Sequence, residues 1–309
     1  MSQYVIGIDV GGTNVRLGIV NTAGKVLSRA SFQTKQFIRT PGSLINALCE
    51  AVTALVAKRG LTKKDIAGVG VGLPGLVDVD KGVIRCLPNI PGWSDVALKR
   101  IMERKLGILV RVENDVNMIA LGEWEYGAGK GMQDLICMTL GTGVGAGLIL
   151  ANKIYRGAGF AAGEIGHAPL NENGPDCGCG GWGCFERYVG HKRLQKDAAR
   201  VFAKNDITLE DVCRRASEGK KKALKFWESV GERVANGLVG PVNILNPECV
   251  IIGGGVARSF EFFKPVLEKV LKRRCMKTQA QMVRIIKARL DDDAGIIGAE
   301  VLIRHEENS

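Results

Sequence analysis

The sequence predicts a duplicated α/β fold with two lobes around a central cleft, and three observations lead there. The stretches 6–20 and 136–150 lie 130 positions apart, and each reads as an apolar strand, a glycine-rich turn and a second apolar strand. Each copy opens a series of strands and amphipathic helices in the order βββαβα. With 309 residues, the chain is long enough for two separate cores.

Residues 4–10, 15–21 and 26–34 read as consecutive strands, the second turn being Thr22-Ala23-Gly24-Lys25. A helix over 43–58 takes its apolar face from Leu44, Leu48, Val52, Leu55 and Val56, with Ser43 as N-cap and Gly60 as stop. A strand over 66–72 leads into a Pro/Gly-rich stretch running from Pro74-Gly75 through Pro88-Asn89 to Pro91-Gly92-Trp93. A helix around 94–105, a strand over 108–113 and a helix over 116–125 complete the first half. The plan restarts at residue 134 and carries an insertion over about 154–192. Helices near 192–203, 208–217 and 220–245 follow, then a strand over 249–252. A helix over 260–274 presents Phe263, Val266, Leu267, Val270 and Leu271 on one face. Asp291-Asp292-Asp293 precedes a last apolar helix ending near Arg304. Acids are favourable at a helix N-terminus, so the triplet reads as capping rather than as a metal site. The lobe boundary is placed after Glu113. Residues 1–113 with 295–309 form the small lobe, and 114–294 the large lobe with the insertion. Strand order is not legible at this level.

The composition, 46% hydrophobic and 24% charged, is that of a soluble globular protein. No apolar run approaches the ~18 residues that cross a bilayer, which argues against a membrane protein. Met1-Ser2-Gln3-Tyr4 runs straight into a strand, so the expected compartment is the cytoplasm. The net charge of +11 is scattered over runs such as Lys220-Lys221-Lys222 and Lys272-Arg273-Arg274. Such runs are solvated helix faces or the source of a field that attracts anions. No aromatic residue interleaves with them, which argues against nucleic acid. Nine cysteines without an export signal predict reduced thiols.

Glycines let backbone N–H groups converge on an anion without Cβ interference. Ordinary hairpin turns favour the same residues. Repetition with matching flanks, and Asp9 entering the first turn, favours a polyphosphate held from both sides. Asp9 either stabilises its turn or holds Mg²⁺ or its waters against the phosphates. Asp115, where a strand meets a helix, either caps that helix or takes the proton of a hydroxyl attacking a γ-phosphate. His167, Cys177, Cys179 and Cys184 follow the spacing His-x9-Cys-x-Cys-x4-Cys. Three thiolates and one imidazole suit tetrahedral Zn²⁺. Four protein ligands leave no open position, so the ion is expected to be structural. Glu164 and Glu186 bracket this knuckle.

Seven segments together resemble one family. They are Asp9-x-Gly11-Gly12-Thr13, Leu87-Pro88-Asn89 with Trp93, Glu113-Asn114-Asp115, Thr139-Leu140-Gly141-Thr142-Gly143, Gly163-Glu164-x-Gly166-His167, the cysteine knuckle through Glu186, and Ile252-Gly253-Gly254-Gly255. In order and over nearly the whole chain they resemble the ROK family of repressors and kinases, in its zinc-containing sugar-kinase branch. The resemblance implies an actin/hexokinase-like (ribonuclease H-like) ATPase fold and a homodimer. It also implies an ATP- and Mg²⁺-dependent transfer to the 6-hydroxyl of a hexose, with glucose expected. It makes Asp115 the general base, and it puts Asn114, Glu164, His167 and Glu186 on the other sugar hydroxyls. His167 is then shared, one ring nitrogen on zinc and the other facing the sugar. Gly11, Gly12, Thr13, Asn14 and Arg16, with Thr139, Gly141, Thr142 and Gly143, would surround the phosphates and metal, and Gly253, Gly254 and Gly255 the adenosine. Gly75 and Asn89 would line the sugar site. Rival acceptors are N-acetylmannosamine, N-acetylglucosamine, mannose and fructose, and polyphosphate is a rival donor. The family's repressors carry an N-terminal helix-turn-helix, whereas here the first strand begins beside Met1. Asp9 and Asp115 argue against a silent sugar sensor.

Overall fold

Strand β1 (Tyr4–Val10) shows how the layers arise. Its side chains alternate, so Ile6, Ile8 and Val10 enter one core while Val5 and Gly7 face another. The computed structural model describes residues 3–37, 40–87 and 92–306, without the side chains of the last two. β1, β2 (Asn14–Asn21) and β3 (Val26–Gln33) form an antiparallel meander. Helix α1 (Pro41–Lys58) returns the chain to β4 (Ile66–Leu73), parallel to β1. Its N-cap is Thr40, whose Oγ1 accepts from Ser43 N–H, and not Ser43 as expected. Pro41 explains the shift, because proline fits the first helical position and ends the need for a donor there.

The Pro/Gly-rich stretch hides a three-stranded antiparallel sheet of β5 (Leu76–Asp78), β6 (Val83–Cys86) and β7 (Ser94–Val96). Pairing of Ser94 and Val96 with β6 delays the expected helix at 94 to α2 (Leu98–Leu106). β8 (Val110–Asn114) then completes the sheet β3-β2-β1-β4-β8, and α3 (Asp115–Glu125) leaves its end.

The second half repeats the plan. β9 (Leu135–Leu140), β10 (Val144–Leu150) and β11 (Lys153–Tyr155) form a meander. The insertion ends in α4 (Glu186–Val189), and α5 (His191–Phe202), α6 (Leu209–Ser217) and α7 (Lys221–Leu245) follow. β12 (Cys249–Gly253) pairs parallel with β9, and α8 (Phe260–Arg274) follows. The sequence reading did not foresee α9 (Lys277–Met282) or β13 (Arg284–Lys287), the parallel edge strand beside β12. The resulting order, β11-β10-β9-β12-β13, is that of the first sheet.

Helix α10 (Ala294–Glu306) packs with α3 between the two sheets. Their shared core takes Val5 from one sheet, Leu135, Cys137 and Ile251 from the other, and Met118, Leu121, Ala299 and Leu302 from the helices. The crossing is close, since a methyl group at Gly298 would lie 1.8 Å from the Met118 carbonyl oxygen. The triple Asp forms a short 3-10 turn leading into α10, with no side-chain cap hydrogen bond to that turn. Asp293 pairs with Arg29 on β3 at 2.5 Å, and Asp292 with Arg16 on β2 at 3.3 Å. The nearby arginines win because an ion pair engages the carboxylate more strongly than a neutral amide does. Among the described residues, no helix is long and apolar enough to cross a membrane.

Candidate active site

Strand alternation puts Asp9 on the same face of its sheet as Val5 and Gly7, toward α10, and Thr139 on the same face of the other as Leu135 and Cys137, toward α3. The glycine turns follow these two residues. Gly11 N–H donates to Asn14 O at 2.9 Å, and Gly141 N–H to Gly143 O at 3.0 Å. Nothing lies within 4 Å of where a Cβ would stand on Gly12 or Gly141, so both turns are open on the side a phosphate would occupy. Gly254 sits against the end of β9, with φ of 84° and no room for a Cβ beside Leu140 O. That brings Gly253–Gly255 next to the second turn.

Asp115 is the first residue of α3, and the N-cap is Asn114, whose Oδ1 accepts from Val116 and Asn117 N–H. The capping reading of Asp115 therefore falls to its neighbour. Asn114 Nδ2 donates to Gly75 O at 3.2 Å, leaving one amide hydrogen for a hydroxyl. Asp115 Oδ1 accepts from Val116 N–H at 2.9 Å. Burial, then the charge of Asp9, pushes the Asp115 carboxyl up to about 6, with a smaller push from Glu164. Burial also raises Asp9, against the pull of Arg16. A buried carboxylate at a strand end suits a hard cation, and the Asp9 oxygens fit Mg²⁺ with bound waters. Arg16 reaches Asp9 at 3.9 Å while paired to Asp292.

The segment carrying Glu164 and His167 lies backbone to backbone on β10. A Cβ at Gly163 would stand 1.8 Å from Ala146 O and one at Gly166 2.0 Å from Val144 O, so only glycine permits the approach. His167 turns Nδ1 to Cys177 Sγ at 3.7 Å and Nε2 to Glu164 Oε2 at 3.9 Å. Cys179 and Cys184 Sγ are 3.6 Å apart, and the four ligand atoms all lie within 4.8 Å of one another. A tetrahedron with Zn–S of about 2.3 Å has edges of about 3.8 Å, so the donor set fits Zn²⁺. Burial, then its thiol neighbours, pushes Cys184 up to about 12, whereas Gly181 N–H lowers Cys179. A bound cation would let all three thiols ionise together.

Glu186 opens α4 two residues after Cys184, and its Oε2 accepts from Val144 N–H at 2.9 Å. One oxygen of this expected sugar ligand is thus spent on the second glycine turn. Thr34 was not foreseen. It is fully buried, its Oγ1 donates to Gly11 O at 2.7 Å, and its N–H donates to Thr13 O at 2.9 Å. A lone Thr at the end of a strand gives no signal of that contact. Asn89 lies outside the described residues.

Two like-ordered sheets, a helix pair between them and paired glycine turns define an actin/hexokinase-like fold, two lobes around a cleft. The ROK family profile matches residues 5–306, and the chain belongs to the ROK family. It is 32% identical over 317 residues to a glucokinase of Thermotoga maritima, covering 97% of each chain. It is 30% identical over 311 residues to a xylose repressor of Caldicellulosiruptor bescii, covering 97% of this chain and 77% of the repressor. A ROK family glucokinase from Streptomyces griseus, solved in complex with glucose and AMPPNP, aligns with a TM-score of 0.82 at 31% identity, covering 98% of this chain and 99% of that one.

Proposed function

We propose that the chain is an ATP-dependent hexose kinase that phosphorylates the 6-hydroxyl of glucose. The observation that supports this most is the Asp115 carboxylate, relieved of capping by Asn114 and desolvated beside Asp9. In this reading Asp115 takes the hydroxyl proton as the sugar oxygen attacks the γ-phosphorus and the bond to ADP breaks. Asn114, Glu164, His167 and Glu186 hold the remaining hydroxyls. The Gly11–Thr13 and Gly141–Gly143 turns bind the phosphates, with Thr139, Asn14 and Arg16 around them, and Gly253–Gly255 border the adenosine. Asp9 would hold Mg²⁺, which supplies charge neutralisation when bound. His167, Cys177, Cys179 and Cys184 would hold a structural Zn²⁺ that fixes the His167 ring.

The small lobe is then residues 1–113 with 295–309, including termini outside the described residues, and the large lobe is 114–294. Closing them on the sugar excludes water. Similarity to two glucokinases supports glucose, and the enzyme is read as a cytoplasmic homodimer. A second reading, a sugar-responsive regulator, is supported by the xylose repressor at nearly the same identity. Measuring ADP release with glucose, mannose, fructose, N-acetylglucosamine and N-acetylmannosamine separates the two. Glucose should give the highest kcat/KM. Absence of sugar-dependent ADP release with every acceptor overturns the kinase reading.

A further inference from the structure

Glu113 is 1% exposed, a carboxylate almost wholly removed from water at the end of β8. Its Oε1 accepts from Asn114 N–H at 2.9 Å and Asn117 Nδ2 at 3.0 Å, and its Oε2 accepts from Arg156 Nε at 2.6 Å. The two partners belong to different sheets. Glu113 lies in the five-stranded sheet of the first half, and Arg156 follows β11, the edge strand of the second. An ion pair this deep is retained only when its geometry is good and its spare lone pairs are satisfied, as they are here.

What hangs from each end gives the pair its meaning. Glu113 is followed directly by Asn114 and Asp115, and it also grips the first turn of α3 through Asn117. Arg156 O accepts from Ala162 N–H at 3.0 Å, closing a short loop that begins at Gly157 with φ of 71°. That loop runs directly into Gly163-Glu164 and on to His167. One 2.6 Å contact therefore joins the residue two before the base to the root of the loop that delivers two of the hydroxyl-binding side chains.

We propose that Glu113 and Arg156 are a positioning pair for the acceptor sugar. They set the separation between Asn114-Asp115 on one side and Glu164 and His167 on the other, and so the placement of the reacting hydroxyl. The role assigned to that separation rests on the hexose-kinase reading; the contact itself does not.

Glu113→Gln tests it with volume unchanged. The amide oxygen still accepts from Asn114 and Asn117, but the amide nitrogen turns a donor toward Arg156, also a donor. Because misplacement by about 1 Å is costly, kcat/KM for the hexose should fall on the order of tenfold to a hundredfold. The loss should fall on the hexose KM and on kcat, with KM for ATP within about twofold of wild type. Arg156→Met alone leaves a buried charge without its cation and risks unfolding, so the double variant Glu113→Gln/Arg156→Met is the companion. Its loss should match that of Glu113→Gln alone, as for residues acting through one contact. Amide hydrogen exchange over 156–164 should speed up in both variants while residues 10–14 stay unchanged. Folded Glu113→Gln with normal hexose constants overturns the proposal, as does a KM for ATP that rises as far as that for hexose. If the wild-type chain phosphorylates no hexose, the function reading fails, and exchange over 156–164 decides the pair alone: faster exchange supports it, unchanged exchange overturns it.

Discussion

The two glycine turns occupy equivalent places in equivalent sheets, yet they are held by different chemistry. Gly11–Thr13 hangs from Thr34, a neutral residue at the end of the neighbouring strand, which donates to the carbonyls of Gly11 and Thr13. Gly141–Gly143 is held from the insertion side, where Glu186 accepts from Val144 N–H and His191 N–H donates to Gly141 O. The strand ends differ in the same sense, with Asp9 leading into one turn and Thr139 into the other. A turn braced within its own sheet senses only its donor ligand. A turn braced by a carboxylate two residues beyond Cys184, a candidate metal ligand, senses whatever moves that carboxylate. The second copy is therefore the one tied to the cysteine knuckle, which is the sugar side in the proposed reading.

The largest expected effect falls on the residue proposed as the base. Asp115→Asn should lower kcat by on the order of 10²–10⁴, as for loss of a general base. In wild type, kcat/KM should fall tenfold per unit of acidification below about pH 6, where Asp115 protonates. The same raised pKa has a stability consequence. Between the unfolded value of 3.8 and about 6 the folded chain binds more protons than the unfolded one, so this carboxylate costs stability as pH rises through that window. Asp115→Asn should then melt higher than wild type at pH 8 and lose that advantage near pH 4. A variant less stable at pH 8 contradicts a desolvated carboxylate.

Next comes the metal. Cys179→Ser should lose bound zinc, measured by metal analysis, and weaken hexose binding by roughly tenfold to a hundredfold through His167. If only the second turn is wired to the knuckle, KM for ATP should rise with it while exchange at residues 10–14 stays slow. Equal loosening of both turns would erase the contrast.

Smaller and more direct is the pair Glu186→Gln and Thr34→Val. In Glu186→Gln the amide oxygen still accepts from Val144 N–H, but a charge-assisted hydrogen bond becomes a neutral one, so both the hexose KM and the ATP KM should rise by a few fold. Thr34→Val should raise the ATP KM alone and destabilise the fold by about 1–3 kcal/mol, because Gly11 O loses its donor. Parallel kinetic changes in the two would dissolve the distinction. The smallest effect is expected for Arg16→Ala. Its pairs are half exposed and worth about 0–1 kcal/mol, so the ATP KM should shift by less than about fivefold.

The features legible in the sequence are local. The turn residues and their strands span fifteen consecutive positions, and the four metal-ligand candidates lie between 167 and 184. The features that escaped depend on distant partners. Thr34 finds Gly11 23 residues back, and Asp293 finds Arg29 264 residues away, so neither role has a local signature. β13 is short, lies at an edge and is recognisable only by the β12 backbone it pairs with. At Asn114-Asp115 both residues are good N-caps. The ladder decided between them, since Leu73 pairs with Asn114 and holds it in the extended conformation that a cap requires.

The bare backbone crossing at Gly298 has a mechanical consequence. Where Gly298 meets the Met118 carbonyl the helices touch backbone to backbone, so a swivel about that point disturbs less packing than sliding or separation, which would open the layer that joins the sheets. In the lobe closure proposed above, the pair would act as the axle. Travel then grows with distance from it, and Asp9, whose carboxyl carbon is 3.5 Å from where a Cβ of Gly295 would stand, sits close to the shaft. In that closure the floor of the groove would stay nearly still while its rims swing, and the proposed reacting groups would stay aligned.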